Sequence, residues 1–67
     1  MKLGLKVKLA RVKANKRQYE VAREVGISSQ YLRQIESGKV ANPSREVMIK
    51  IADSLDSNVT ELFFNED

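Results

Sequence analysis

Apolar residues return at helical intervals along most of the chain. Leu3, Val7, Ala10 and Ala14 make one stripe, and Leu5, Leu9 and Val12 make a second, nearly opposite. Two apolar faces predict a first helix over about residues 3–14 that is either sandwiched or offers a surface to a partner. In the next segment, Gln18 to Val25, Val21, Ala22 and Val25 share one side while Tyr19, Glu20, Arg23 and Glu24 share the other. Ser28 is a good N-cap for a third helix that runs to about Ser37, where Gly38 stops it. Pro43-Ser44 announces a fourth helix, with Ser44 as its cap and Met48, Ile51, Ala52 and Leu55 at core spacing. A fifth, shorter helix starts at Asn58, with Glu61 expected to reach back as its capping-box partner and with Leu62 and Phe63 packing inward. The β-branched residues never alternate over a long run, so no strand is predicted. The expectation is one all-α domain over residues 1–67, five helices joined by links of two to six residues.

The stretch from Gln18 to Ile35 carries a second layer of information. Ala22 is small where two helices must cross closely, and four residues later Gly26 supplies the freedom for a tight turn at positive φ. Ile27 then plugs the turn from beneath, and Leu32 and Ile35 form the inward face of the following helix. That spacing is the helix-turn-helix pattern, within about residues 18–37. On the opposite arc of the third helix stand Ser29, Gln30, Arg33 and Gln34, all hydrogen-bonding and none acidic. Gln suits bidentate bonding to adenine, Arg to guanine, and Ser bonds either way. A carboxylate on that arc would repel a phosphate-lined groove.

Charge points the same way. Residues 1–39 hold ten Lys and Arg against three Asp and Glu, whereas residues 40–67 hold two against six. A basic front and an acidic back suit a polyanion bound on one side. The chain has no His and no Cys, so zinc sites of the usual ligands, disulfides and thiol nucleophiles are excluded. No spacing builds a carboxylate pair or an activated Ser or Lys, and an enzyme is not expected. The longest apolar runs, Val47-Met48-Ile49 and Leu62-Phe63-Phe64, are too short for a membrane span. No cofactor and no small-molecule ligand is called for.

From about Val7 to Phe63 the chain resembles the phage repressor/Cro-type helix-turn-helix regulators. The likeness is carried by Arg11, Gln18, Val21-Ala22, Gly26-Ile27-Ser28, Leu32, Ile35-Glu36, Gly38-Lys39, Asn42-Pro43-Ser44, Ile51-Ala52, Leu55 and Glu61-Leu62-Phe63. The resemblance implies a five-helix DNA-binding domain whose third helix enters the major groove. It also implies a cytoplasmic homodimer acting on a two-fold-symmetric operator in double-stranded DNA, most plausibly as a repressor. Base reading would then fall to Ser29, Gln30 and Gln34 with Arg33 adjacent, and backbone contact to Gln18, Lys39 and Asn42, with Lys16, Arg17 and Arg45 as further candidates. The resemblance implies an ion pair between Arg11 and Glu36. Self-association is expected at the C-terminal end, through Val59, Leu62 and Phe64.

Four positions depart from the family pattern, one of them Arg45, which replaces a commonly apolar residue at the start of the fourth helix. Lys16 stands where a leucine is usual, Arg17 where a Ser or Thr cap is usual, and Asp56 where a glycine often ends the fourth helix. The second helix therefore lacks the common side-chain cap. A competing reading keeps the fold but assigns it to protein binding, as in an antitoxin or adaptor, with the Leu5, Leu9 and Val12 face or Phe64 as the contact.

Overall fold

The computed structural model describes residues 4–40 and 42–64. Five helices follow one another: α1 (Leu5–Lys13), α2 (Gln18–Val25), α3 (Ser29–Glu36), α4 (Arg45–Ser54) and α5 (Val59–Phe63). Each of α3, α4 and α5 begins where its cap residue predicts. Ser28 Oγ accepts the Tyr31 N–H at 3.0 Å, Ser44 Oγ the Val47 N–H at 3.2 Å, and Asn58 Oδ1 the Glu61 N–H at 2.8 Å. Each bond satisfies one amide that the first turn of a helix leaves open.

The core is built by α2 and α4 in their most extensive contact, with α3 packed on α2 and with α1 and α5 closing the other side. Val7, Val21, Leu32 and Ile51 are fully buried, one from each of the first four helices. Ala22, at 2% exposure, lies in the core as its small size requires, and Ile27 and Tyr31 lean on the cluster from the edge. Truncating any of the fully buried aliphatic residues to Ala would leave a cavity worth about 2–5 kcal/mol.

Helix ends explain where the sequence reading needs correction. The first helix starts at Leu5 rather than Leu3, which lies outside the described residues. Gly4 caps it in the left-handed region, φ 89°, and a Cβ there would fall 2.0 Å from the carbonyl oxygen of Ile35. The entry to α1 is thus pressed against the last turn of α3, and only a residue without a side chain fits. Of the second apolar stripe, Leu5 is half-buried whereas Leu9 and Val12 are 53% and 58% exposed, so α1 is covered on one face only. The α3–α4 link, residues 37–44, is longer than the two to six expected.

Two helices end on a left-handed residue other than glycine. Asn15 (φ 61°) and Asp56 (φ 56°) take the left-handed position after α1 and α4. In both places the Schellman pair of bonds forms: Lys16 N–H to Arg11 O (3.1 Å) with Asn15 N–H to Val12 O (2.9 Å), and Ser57 N–H to Ala52 O (2.8 Å) with Asp56 N–H to Asp53 O (3.2 Å). The expected capping box of α5 is only half made. Glu61 accepts from the Ser57 hydroxyl at 3.3 Å instead of from the Asn58 amide. The reciprocal half occurs at α2, where Glu20 accepts the Arg17 N–H at 2.7 Å although Arg17 supplies no side-chain cap.

Candidate nucleic-acid interface

The third helix is bedded on Leu32 and Ile35, with Tyr31 half-buried beside them, and this fixes which arc faces outward. On that arc Gln30 and Arg33 are exposed and Ser29 and Gln34 are half-buried. The acidic residue of α3, Glu36, is turned inward and is 6% exposed. The outward surface of α3 therefore carries hydroxyl, amide and guanidinium groups and no carboxylate. Gly26, at φ 88°, makes the turn that sets α3 across α2, with open space where a Cβ would stand.

Glu36 is held by three bonds. Arg11 donates to its carboxylate through Nε at 2.7 Å and Nη2 at 3.2 Å, and Gln18 donates through Nε2 at 3.1 Å. Arg11 also donates through Nη1 to the Lys16 carbonyl at 2.8 Å. The Arg11 and Glu36 side chains are 12% and 3% exposed, so this is a buried, forked ion pair rather than a surface one. It ties the end of α3 to α1 and to the first residue of α2. Gln18 is half-buried, at a helix start whose free amides and partial positive charge favour an anion.

The remaining backbone candidates divide into two groups. Arg17, Lys39, Asn42 and Arg45 are exposed. Among the described residues no ion pair holds the side chains of Arg17, Lys39 or Arg45. Lys16 differs. Its Nζ donates to Glu24 Oε1 at 2.9 Å and to the Ser54 carbonyl at 2.8 Å. The Glu24 carboxyl is held below its ordinary value, first by the Ser54 hydroxyl and then by Lys16.

Sequence reasoning passed over two features near this surface. The Arg23 guanidinium lies 5.6 Å from the centre of the Tyr19 ring, a pairing that their four-residue spacing on α2 allows. Beside the α3–α4 link, Ile49 and Phe64 are 49% and 59% exposed and line one apolar depression with Met48 and Val59, rimmed by Asn42 and Arg45. Ile49 falls off the Met48, Ile51, Ala52, Leu55 core spacing, and that was its only signal. Leu62, expected to pack inward and also to join Val59 and Phe64 in self-association, is 6% exposed in the core and does not line this depression.

A family model for the helix-turn-helix domain matches residues 7–62. Among solved structures, the chain is similar to the restriction-modification controller protein C.AhdI from Aeromonas hydrophila, at 28% identity and a TM-score of 0.83, with 91% of each chain covered. It is similar also to a chain of the SinR protein/SinI protein complex, at 30% identity and a TM-score of 0.83, over 90% of this chain and 58% of that one. Comparison with curated protein sequences gives no significant match. No helix among the described residues is long and apolar enough to cross a membrane. The matched span includes both helices of the turn and the ion pair beneath them, and the chain belongs to the Cro/C1-type helix-turn-helix family of DNA-binding transcription regulators.

Proposed function

We propose that this protein is a repressor that binds a two-fold-symmetric operator as a homodimer and reads base edges with the outer arc of α3. The observation that carries the reading is the surface of that helix. Ser29, Gln30, Arg33 and Gln34 face outward without a carboxylate among them, while the helix's acid is buried against Arg11. Gln30 and Gln34 suit adenine, Arg33 suits guanine, and Ser29 accepts or donates. Gln18 at the start of α2, with Arg17, Lys39, Asn42 and Arg45, supplies phosphate and sugar contacts that set register without reading sequence. Pairing two copies through Ile49, Val59 and Phe64 would present two third helices about 34 Å apart, in successive major grooves. A bound dimer then blocks polymerase by occupancy. The description of C.AhdI as a controller protein supports a regulatory role for a chain of this shape.

Selection of duplexes from a random pool, repeated at two salt concentrations, tests the proposal. The expected result is a two-fold-symmetric consensus whose affinity falls steeply with salt. Binding without any consensus would remove base reading by α3. Absence of binding to any duplex would favour the protein-binding alternative, in which the exposed Leu9 and Val12 of α1 are the contact.

A further inference from the structure

We propose that Lys16 is a positioning residue, and that it clamps the α2–α3 reading unit to α4 instead of touching a phosphate. The proposal rests on the DNA-binding reading above, but its geometry stands without DNA. The last turn of α4 contains no basic residue and does contain Asp53, and once Ile51, Ala52 and Asp53 have taken backbone amides the Ser54 carbonyl is the one left for a side-chain donor. Lys16 brings a cation to that end from the α1–α2 link, 38 residues away in sequence, by donating to the Ser54 carbonyl at 2.8 Å. The same ammonium donates to Glu24 Oε1 at 2.9 Å, and the Ser54 hydroxyl donates to that same oxygen at 2.5 Å. Three elements are closed into one ring of bonds: the α1–α2 link, the last turn of α2 and the end of α4.

Lys16 also joins this ring to the brace under the reading helix. Its own carbonyl accepts from Arg11 Nη1, and Arg11 holds Glu36 on α3, which in turn holds Gln18. One residue thus connects the support of α3 to α4, the helix that carries Ile49 of the apolar patch. The angle between the reading helix and that patch decides how far apart two reading helices stand in a dimer. A phosphate contact by Lys16 would require its half-buried ammonium to leave two acceptors that already hold it.

Binding of the full chain to its selected duplex over a range of salt, with the spacer between half-sites lengthened or shortened by one base pair, tests the assignment. Lys39→Ala, as a reference, should reduce the slope of log affinity against log salt by about 0.9 for each protomer of the bound dimer. Lys16→Met should leave the slope of wild type, weaken binding several-fold at every salt, and flatten the preference for spacer length. Lys16→Arg should restore both affinity and preference. A slope reduced by about 0.9 for each protomer in Lys16→Met with spacer preference intact would overturn the proposal and give Lys16 a phosphate. Should Lys16→Met fail to fold, Glu24→Ala removes one of the two acceptors of Lys16 and the partner of the Ser54 hydroxyl without removing a cation, and must flatten the spacer preference in the same way. If wild type binds no duplex at all, urea melts of Lys16→Met, Glu24→Ala and the double variant still decide the clamp. Both singles remove the Lys16–Glu24 bond, so the double should lose less than their sum, and fully additive losses would refute it.

Discussion

Replacing Glu36 by Ala removes the acceptor on which the end of α3 depends. Arg11 would lose its contacts at 2.7 and 3.2 Å and keep only its bond to the Lys16 carbonyl, and Gln18 would lose its partner at 3.1 Å. The Arg11 side chain is 12% exposed, so water cannot replace the carboxylate without opening the packing between α1 and α3. Removing one member of a buried pair costs about 3–5 kcal/mol, because the other is left as an uncompensated charge. A domain of this size has a total stability of about 3–10 kcal/mol. Glu36→Ala is therefore expected to be marginal or unfolded at 25 °C in urea melts followed by circular dichroism. Glu36→Gln keeps one acceptor for Arg11 and should lose less. The double variant Arg11→Met, Glu36→Leu removes both charges together and should recover much of the loss, as apolar replacement of a buried pair often does. A loss below about 1 kcal/mol for Glu36→Ala would refute the reasoning, since that is the range of a pair already solvated.

Four further outcomes follow from the geometry. Gly4→Ala must place a methyl against the Ile35 carbonyl at an unfavourable φ, and should cost about 2 kcal/mol or more in the same melts. Gln34→Ala should weaken the selected duplex by about 1–3 kcal/mol and relax one base position, whereas Lys39→Ala should weaken specific and random duplexes alike; competition binding reads both. Phe64→Ser should shift sedimentation at micromolar protein from dimer to monomer, and unchanged sedimentation would exclude the patch around Ile49 and Phe64. The lowered Glu24 carboxyl contributes stability that is fully present above the ordinary glutamate range and is lost as pH falls through its folded value. Wild type should accordingly lose more thermal stability than Ser54→Ala on acidification from about pH 5 to about pH 3.

Which parts of this molecule can be read from the chain depends on whether the relevant physics is local. Caps are local, so Ser28, Ser44 and Asn58 mark the starts of α3, α4 and α5, and Gln18–Val25 has the same bounds in sequence and structure. Burial by helical spacing is nearly local, which is why Val21, Ala22, Leu32, Ile51 and Leu55 are in the core as expected. The failures occur where a distant element decides. Gly4 has no meaning until α3 ends against it. The outer stripe of α1 has the composition of a buried face, but no helix arrives to cover Leu9 and Val12. Leu62 has two expected places, inward with Phe63 and outward with Val59 and Phe64 for self-association, and only the packing of α5 onto α1 and α4 decides for the first while leaving Phe64 in water.

Cations show the same limit in its most consequential form. Lys16, Arg17, Lys39 and Arg45 are equivalent as charges in a sequence, and a basic link before a helix reads as a phosphate contact. The fold separates them by what stands within reach. Lys16 meets the carboxylate of Glu24 and the end of a helix whose last turn lacks a cation. Arg17, next in the chain and itself the cap residue of α2, is exposed and holds no ion pair among the described residues. Adding a positive charge to this front surface and repositioning one already there are consequently different experiments. The first should change the salt dependence of DNA binding, and the second should change which spacing between half-sites is preferred. Arg17→Ala is the paired control for Lys16→Met: it should lower the salt slope by about 0.9 for each protomer and leave the spacer preference of wild type. Identical responses from these two neighbours in both measurements would mean that position in the chain, and not the bonding seen in the fold, governs what a cation does here.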